Sequence, residues 1–395
     1  MTIIEHIILF SILLIFYIFW GKKNANRNGA AFWKAAIIPI LLYVFVTGSR
    51  YGWGNDYLWY RAQYEFAIYD PYQVAFNWLN QFLTLIGFNY VGAFMVYGFM
   101  FITCAFVFIR SFGSESKYMY CFLIPAALFI STNTIRQGVG TSFMLLALVF
   151  FQNKKWIYMG IAAIIAYSFH SATFITLGVL LGIFFMLKKP IHYAFSIPIY
   201  LFLTFIYDIS STSILASLVD GFSSFGGGKF QSYLSSGEKW FGEDAIKDHY
   251  GQGALALITS SLCYVSILYL GYQALKIRNN KMIVYLFNAV VTGFVLYRAV
   301  YAFELLNRMT LTLQMFYFVP LGYIFYVYFM DCKQPVTREA IRFRKQFHVG
   351  VTFILTYLFM YWGRFIFLYE KADFFWYHLD EYFDINQFMD QMYYL

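Results

Sequence analysis

VGAFMVYGFMFITCAFVFI, residues 91–109, is the stretch from which the rest of the chain can be read. It carries no charged side chain, and at about 1.5 Å per residue of helix it matches a hydrocarbon core ~30 Å thick. Arg110 ends it abruptly. Runs of the same character lie on both sides, at 3–20, 33–48, 118–131, 138–152, 156–169, 172–187, 191–207, 253–275, 282–303, 309–330 and 348–368. The expected fold is therefore an all-α polytopic membrane protein with about 12 transmembrane helices. Composition points the same way: 61% of the 395 residues are hydrophobic and 24% aromatic, while only 12% are charged. A soluble domain carries about 25% charged residues, so this chain has too little polar surface for water. The run at 3–20 has no basic residue before it, lacks a small-residue cleavage site and is followed at once by Lys22 and Lys23, so it reads as an uncleaved first span.

A formal charge of +8 would fit a nucleic-acid binder, but the placement of the charges argues for topology instead. Basic residues gather in alternate connections: Lys22, Lys23, Arg27 and Lys34; Arg110 and Lys117; Lys154 and Lys155; Lys188 and Lys189; Lys276, Arg278 and Lys281; and Lys333, Arg338, Arg342, Arg344 and Lys345. Only Glu115, Asp331 and Glu339 oppose them there. This face reads as cytoplasmic, and an even number of spans then puts both termini outside. Cys104, Cys121 and Cys263 fall within spans and Cys332 in a basic connection, with no zinc-like spacing, so they read as small packing residues.

No internal repeat or composition shift divides the chain, and residues 1–395 read as one integral membrane domain. Three segments extend on the outer side. Residues 49–90 combine a polar stretch with an apolar pattern at Phe76, Leu79, Phe82, Leu83 and Ile86, expected to form an interfacial helix. Residues 208–252, with Gly226, Gly227 and Gly228, read as an external lid, and residues 369–395 as an acidic aromatic tail.

Charged groups at the outer ends of spans are costly and mark candidate chemistry. Arg50, Gly52, Asp56, Tyr57 and Tyr60 follow the second span; Arg136 and Gln137 join two short spans; His170 ends another; Arg298, Asn307 and Arg308 cluster around Glu304. Arginine offers a planar fork for phosphate or carboxylate, and aspartate can take a proton. The bland alternatives are an interfacial aromatic belt with Arg50 reaching headgroups, a packing role for His170, and an internal Glu304 pair for one of the arginines. Four arginines from separate segments on a face otherwise rich in acids suit a buried anion, and a diphosphate is the natural candidate.

At these residues the sequence resembles the EpsG family, grouped with the Wzy-type polymerases of bacterial exopolysaccharide, capsule and O-antigen synthesis. The carriers are Arg50 to Tyr60, then Ile135-Arg136-Gln137-Gly138, then Phe169-His170-Ser171-Ala172, then Asn307-Arg308, in that order along the chain. Segment 208–252 and the tail show no such likeness. The resemblance implies a GT-C-like, metal-independent glycosyltransferase in the bacterial cytoplasmic membrane, needing no cofactor. It implies transfer of a growing glycan from polyprenyl pyrophosphate to a sugar hydroxyl of another lipid-linked repeat unit. Under it, Asp56 is the expected base with His170 second; Arg50, Arg136, Arg308 and Arg298 would hold pyrophosphate; and Tyr57, Tyr60, Gln137 and Asn307 would orient substrate. Expected partners are the polyprenyl-pyrophosphate-linked oligosaccharide, membrane lipid and other polysaccharide-assembly proteins, and no nucleic acid. A lipid-linked oligosaccharide flippase would want internal symmetry, which is not seen. An O-antigen-type ligase shares the same leaving group, and a membrane acyltransferase gives no reason for so many outward arginines.

Overall fold

A computed structural model describes residues 3–52, 56–69, 73–207, 253–301, 303–368 and 373–374. Segment 208–252, Trp53 to Asn55, and the tail apart from residues 373–374 lie outside the described residues. In chain order the elements are α1 (Ile3–Asn24), α2 (Gly29–Gly48), β1 (Arg50–Tyr51), α3 (Tyr57–Glu65), α4 (Val74–Leu85), α5 (Tyr90–Arg110), α6 (Met119–Thr132), α7 (Ile135–Gln152), α8 (Trp156–Phe169), α9 (Ser171–Met186), α10 (Tyr193–Phe205), α11 (Ala254–Ile277), α12 (Lys281–Val300), α13 (Glu304–Met315), α14 (Phe318–Tyr326), α15 (Arg338–Leu368) and β2 (Asp373–Phe374).

The protein is helical and polytopic. Among the described residues, six helices are long and apolar enough to cross a bilayer: Gly29–Gly48, Tyr90–Arg110, Ile135–Gln152, Ala254–Ile277, Lys281–Val300 and the broken run Leu306–Asp331. Trp156–Phe169, Ser171–Met186 and Tyr193–Phe205 are apolar but shorter. Every run read from the sequence falls largely on helix, and among the described residues six of these helices meet the length and hydropathy that crossing needs. Large apolar side chains such as Leu41, Ile164, Phe195 and Phe359 stand exposed on these helices, the surface that a lipid solvent favours.

Three elements differ from expectation. The polar half of segment 49–90 contains a helix, α3, beside the expected α4. The span expected at 309–330 is broken into α13 and α14, with a short π-helical turn, Val327–Asp331, after them. The last span begins ten residues early, at Arg338, so the basic residues before 348 form helix instead of loop.

The chain gathers into two compact units, Met1–Leu177 with Met360–Leu395, and Gly178–Phe359. In the first, α7 packs against α5 and α8, α2 against α5, and α1 against α2 and α6. Pro39 inside α2 has no N–H, which frees the carbonyl four residues back. That carbonyl, Ala35 O, accepts the Trp20 indole N–H at 2.8 Å, and Tyr17 donates to Pro39 O at 2.8 Å, so the interruption in α2 becomes a seam with α1. Glycines let α7 approach its neighbours: a Cβ on Gly138 would lie 2.8 Å from Ile130 O, and one on Gly140 3.1 Å from Ala166 O.

In the second unit, α12 packs against α10, α13 and α14, while α11 packs against α10 and α14. Asn288 of α12 accepts the Ile191 N–H at 2.8 Å and donates to Leu187 O and Lys189 O at 3.2 and 2.9 Å, pinning the turn between α9 and α10. Arg298 is 3% exposed; its Nε donates to Tyr200 Oη at 3.2 Å and its Nη2 to Ser260 Oγ at 2.8 Å, tying α12 to α10 and α11.

Candidate functional site

The first unit brings three of the four sequence constellations into one neighbourhood. The link between α6 and α7 is only Asn133 and Thr134, so the C-terminus of one helix and the N-terminus of the next lie side by side. Helix ends carry opposite partial charges, negative at exposed carbonyls and positive at exposed N–H groups. Arg50 meets the negative ends. Its Nη1 donates to Thr47 O near the end of α2, and its Nη2 donates to Thr132 O at the end of α6, at 3.1 Å. Tyr43 and Ser131 share a 2.6 Å hydrogen bond between the same two helices.

Arg50 is 1% exposed, and its Nε meets no acceptor. Its guanidinium lies 4.8 Å from the Phe94 ring and 6.0 Å from the Tyr57 ring. Burial draws its pKa down to about 10, against the pull of the Tyr57, Tyr43 and Tyr60 oxygens, so it remains cationic at neutral pH. The backbone is held too: β1 pairs antiparallel with β2, with Arg50 opposite Phe374 and Tyr51 opposite Asp373. Gly52 then turns the chain at φ 68, a left-handed conformation that glycine adopts without strain.

Asp56 stands at the start of α3. Its N–H donates to Asn133 Oδ1 at 3.4 Å, and its carbonyl accepts the Tyr60 N–H at 3.0 Å. Tyr57 and Tyr60, three residues apart and so on one helix face, are buried in an aromatic cluster with Tyr64, Phe76, Phe94, Tyr97, Ile135, Val139 and Phe169. The Arg136 guanidinium lies 5.5 Å from the Tyr60 ring, within cation–π range. The same α3 face thus receives Arg50 through Tyr57 and Arg136 through Tyr60. Arg136 is half-buried and Gln137 buried, in the first turn of α7, where Thr134 supplies no side-chain cap. The first N–H groups of α7 thus lack a side-chain cap from Thr134, and Arg136 stands beside them.

His170 ends α8 in an extended conformation and is half-buried; its carbonyl accepts the Thr173 hydroxyl at 2.6 Å. The neighbouring Phe169 joins the aromatic cluster and stacks on Phe143, ring centroids 5.6 Å apart. His170 therefore belongs to the same end of the same helices. Arg298, Asn307 and Arg308 belong to the second unit. Asn307 donates to Tyr301 O at 3.3 Å, and Arg308 is half-buried in α13.

Sequence reading gave no role to Arg61 and Glu65. Arg61 Nε donates to Glu65 Oε2 at 3.1 Å, and the guanidinium lies 4.5 Å from the Tyr90 ring and 5.7 Å from the Tyr51 ring. Burial lowers the Arg61 pKa, but Tyr90, Glu65 and Tyr57 together outweigh it and leave it raised. Burial raises Glu65 in spite of Arg61. The available signal was their four-residue spacing, which marks a helical ion pair.

The sequence profile of the EpsG family matches residues 33–379, from before Arg50 to beyond β2. The chain belongs to the EpsG family. All ten residues singled out above as base, anion ligands or substrate contacts lie within the matched EpsG span. No curated protein and no solved structure gives a match.

Proposed function

We propose that this EpsG-family protein is a polysaccharide polymerase of the Wzy type, moving glycan from polyprenyl pyrophosphate onto a sugar hydroxyl of another lipid-linked repeat unit. The observation that carries the reading is the pairing of two arginines with two tyrosines on one face of α3, at the junction of α6 and α7. Arg50 occupies the carbonyl ends of α2 and α6, which leaves the N-terminus of α7 and Arg136 as the anion-attracting side of that junction. A diphosphate there would meet a bidentate fork, helix N–H groups and a tyrosine face.

In the proposed reaction, the acceptor hydroxyl oxygen attacks the anomeric carbon and the bond from that carbon to the diphosphate oxygen breaks. The bonding pair leaves with the polyprenyl diphosphate, and the hydroxyl proton passes to the Asp56 carboxylate, with His170 as the alternative acceptor. Arg136 stabilises the charge that grows on the leaving diphosphate, Arg50 holds the floor beneath it, and Gln137, Tyr57 and Tyr60 orient the reactants. Arg298 and Arg308 as anion ligands, with Asn307 orienting substrate, are a separate proposal for the second unit, and no step above depends on them. Guanidinium groups supply the positive charge, so the proposed chemistry is metal-independent. Twelve spans of GT-C type, with both termini extracytoplasmic, complete the proposal.

Reconstitution of the full chain with a defined polyprenyl-pyrophosphate oligosaccharide tests it. A ladder of products growing by whole repeat units is the expected result. A single addition to a foreign acceptor would make the protein a ligase, and leaflet exchange without new bonds would make it a flippase.

A further inference from the structure

The second unit carries a feature unrelated to this chemistry. Arg338, Arg342 and Lys345 stand on one face of α15, at helical spacings of four and three residues, and all three are exposed. With Ile341 and Gln346 they line an open groove of about 320 Å³. None of the three cations takes part in a hydrogen bond or ion pair among the described residues, in contrast to Arg278, which pairs with Asp331 at 3.2 Å. Cations in the first turns of a helix also oppose its dipole, so the dipole does not account for them.

The same stripe continues along α15 as Val349 and Phe353, which are 59% and 38% exposed. One face therefore runs from three cations into apolar side chains within a few helical turns. At the join, Gln346 accepts the Tyr269 hydroxyl at 2.7 Å, and Tyr328 and His348 share a 2.9 Å hydrogen bond. Tyrosines with one apolar and one hydrated end mark the headgroup level of a bilayer.

We infer that this stripe is a docking site for an anionic phospholipid, its phosphodiester in the groove of Arg338, Arg342 and Lys345 and an acyl chain along Val349 and Phe353. Charge selects the headgroup, and the apolar continuation selects a lipid over a soluble phosphate. Each basic residue near an anionic surface strengthens attraction about fivefold, so three give roughly 100-fold.

The test uses the full chain in detergent, titrated with phosphatidylglycerol, phosphatidylcholine or inorganic phosphate while thermal unfolding and lipid retention in native mass spectrometry are followed. Phosphatidylglycerol should be retained and raise Tm, whereas the other two should have little effect. The triple variant Arg338→Gln, Arg342→Gln, Lys345→Gln should lose that response, with affinity down roughly 100-fold. Its starting Tm in phosphatidylcholine should be unchanged, because these side chains hold nothing else in place. A second variant, Val349→Ser with Phe353→Ser, should bind the lipid more weakly while leaving the cations intact. Equal responses of wild type and triple variant to phosphatidylglycerol, or equal stabilisation of wild type by inorganic phosphate or phosphatidylcholine, would overturn the proposal.

Discussion

Arg50 and Arg136 look alike in sequence, each at the outer end of an apolar run, yet their surroundings differ. Arg50 is enclosed and its two Nη groups are taken by Thr47 O and Thr132 O. Lysine cannot bridge both carbonyls, so Arg50→Lys should destabilise the protein by about 1–3 kcal/mol, the cost of a buried polar group left without its partner. The readout is a lower Tm in detergent. Arg136 is half-buried in the first turn of α7, where Thr134 supplies no side-chain cap. Arg136→Lys keeps the charge and loses the fork, so elongation in proteoliposomes should fall roughly 100-fold with Tm and membrane insertion unchanged. Wild-type elongation in that variant would remove Arg136 from the anion site. For Asp56→Asn the expected outcome is accumulation of lipid-linked single units, scored by lipid extraction, and normal polymer would place the base elsewhere. The gathering of Arg50, Asp56, Tyr57, Tyr60, Arg136 and His170 was legible because each ends or adjoins an apolar run on the same expected face. The division of labour between the two arginines was not, since it depends on carbonyls at the end of α6, far from Arg50 in sequence.

Helices were legible wherever hydropathy alone defines them and obscure where charge and helix coexist. Hydropathy stops at Lys345, but Arg338, Arg342, Arg344 and Lys345 are good helix formers, and α15 runs through them. Helix α3 was hidden in the same way, as a polar stretch whose buried face is tyrosine. Close approach of α7 to its neighbours rests on glycine, which gives a direct test. Gly140→Val would press its Cβ against Thr173 and Ala166 O, and should cost about 1–3 kcal/mol and displace the α7 N-terminus. Gly160 on α8 has nothing within 4 Å of its Cβ position, so Gly160→Val should leave Tm and elongation near wild type. Equal effects at both positions, read by thermal unfolding, would deny the close packing its role.

Sidedness belongs to the molecule as a whole, and the alternation of basic and catalytic-looking ends along the helices predicts it. Cys121, Cys263 and Cys332 are buried and Cys104 is half-buried, so the native thiols give a low background for labelling. A membrane-impermeant maleimide applied to intact cells should label Phe88→Cys, between α4 and α5, and spare Asn153→Cys, between α7 and α8. Labelling of Asn153→Cys in intact cells would invert the orientation and move the proposed site away from the outer leaflet. Finally, the pairing of β1 with β2 stitches Arg50 to a segment the ribosome makes long afterwards. A nascent chain already inserted through α9 holds Arg50, Asp56, Arg136 and His170, yet Arg50 still lacks its strand partner. The proposed site should accordingly be complete only late in biogenesis, after the segment around Phe374 has emerged and paired with Arg50.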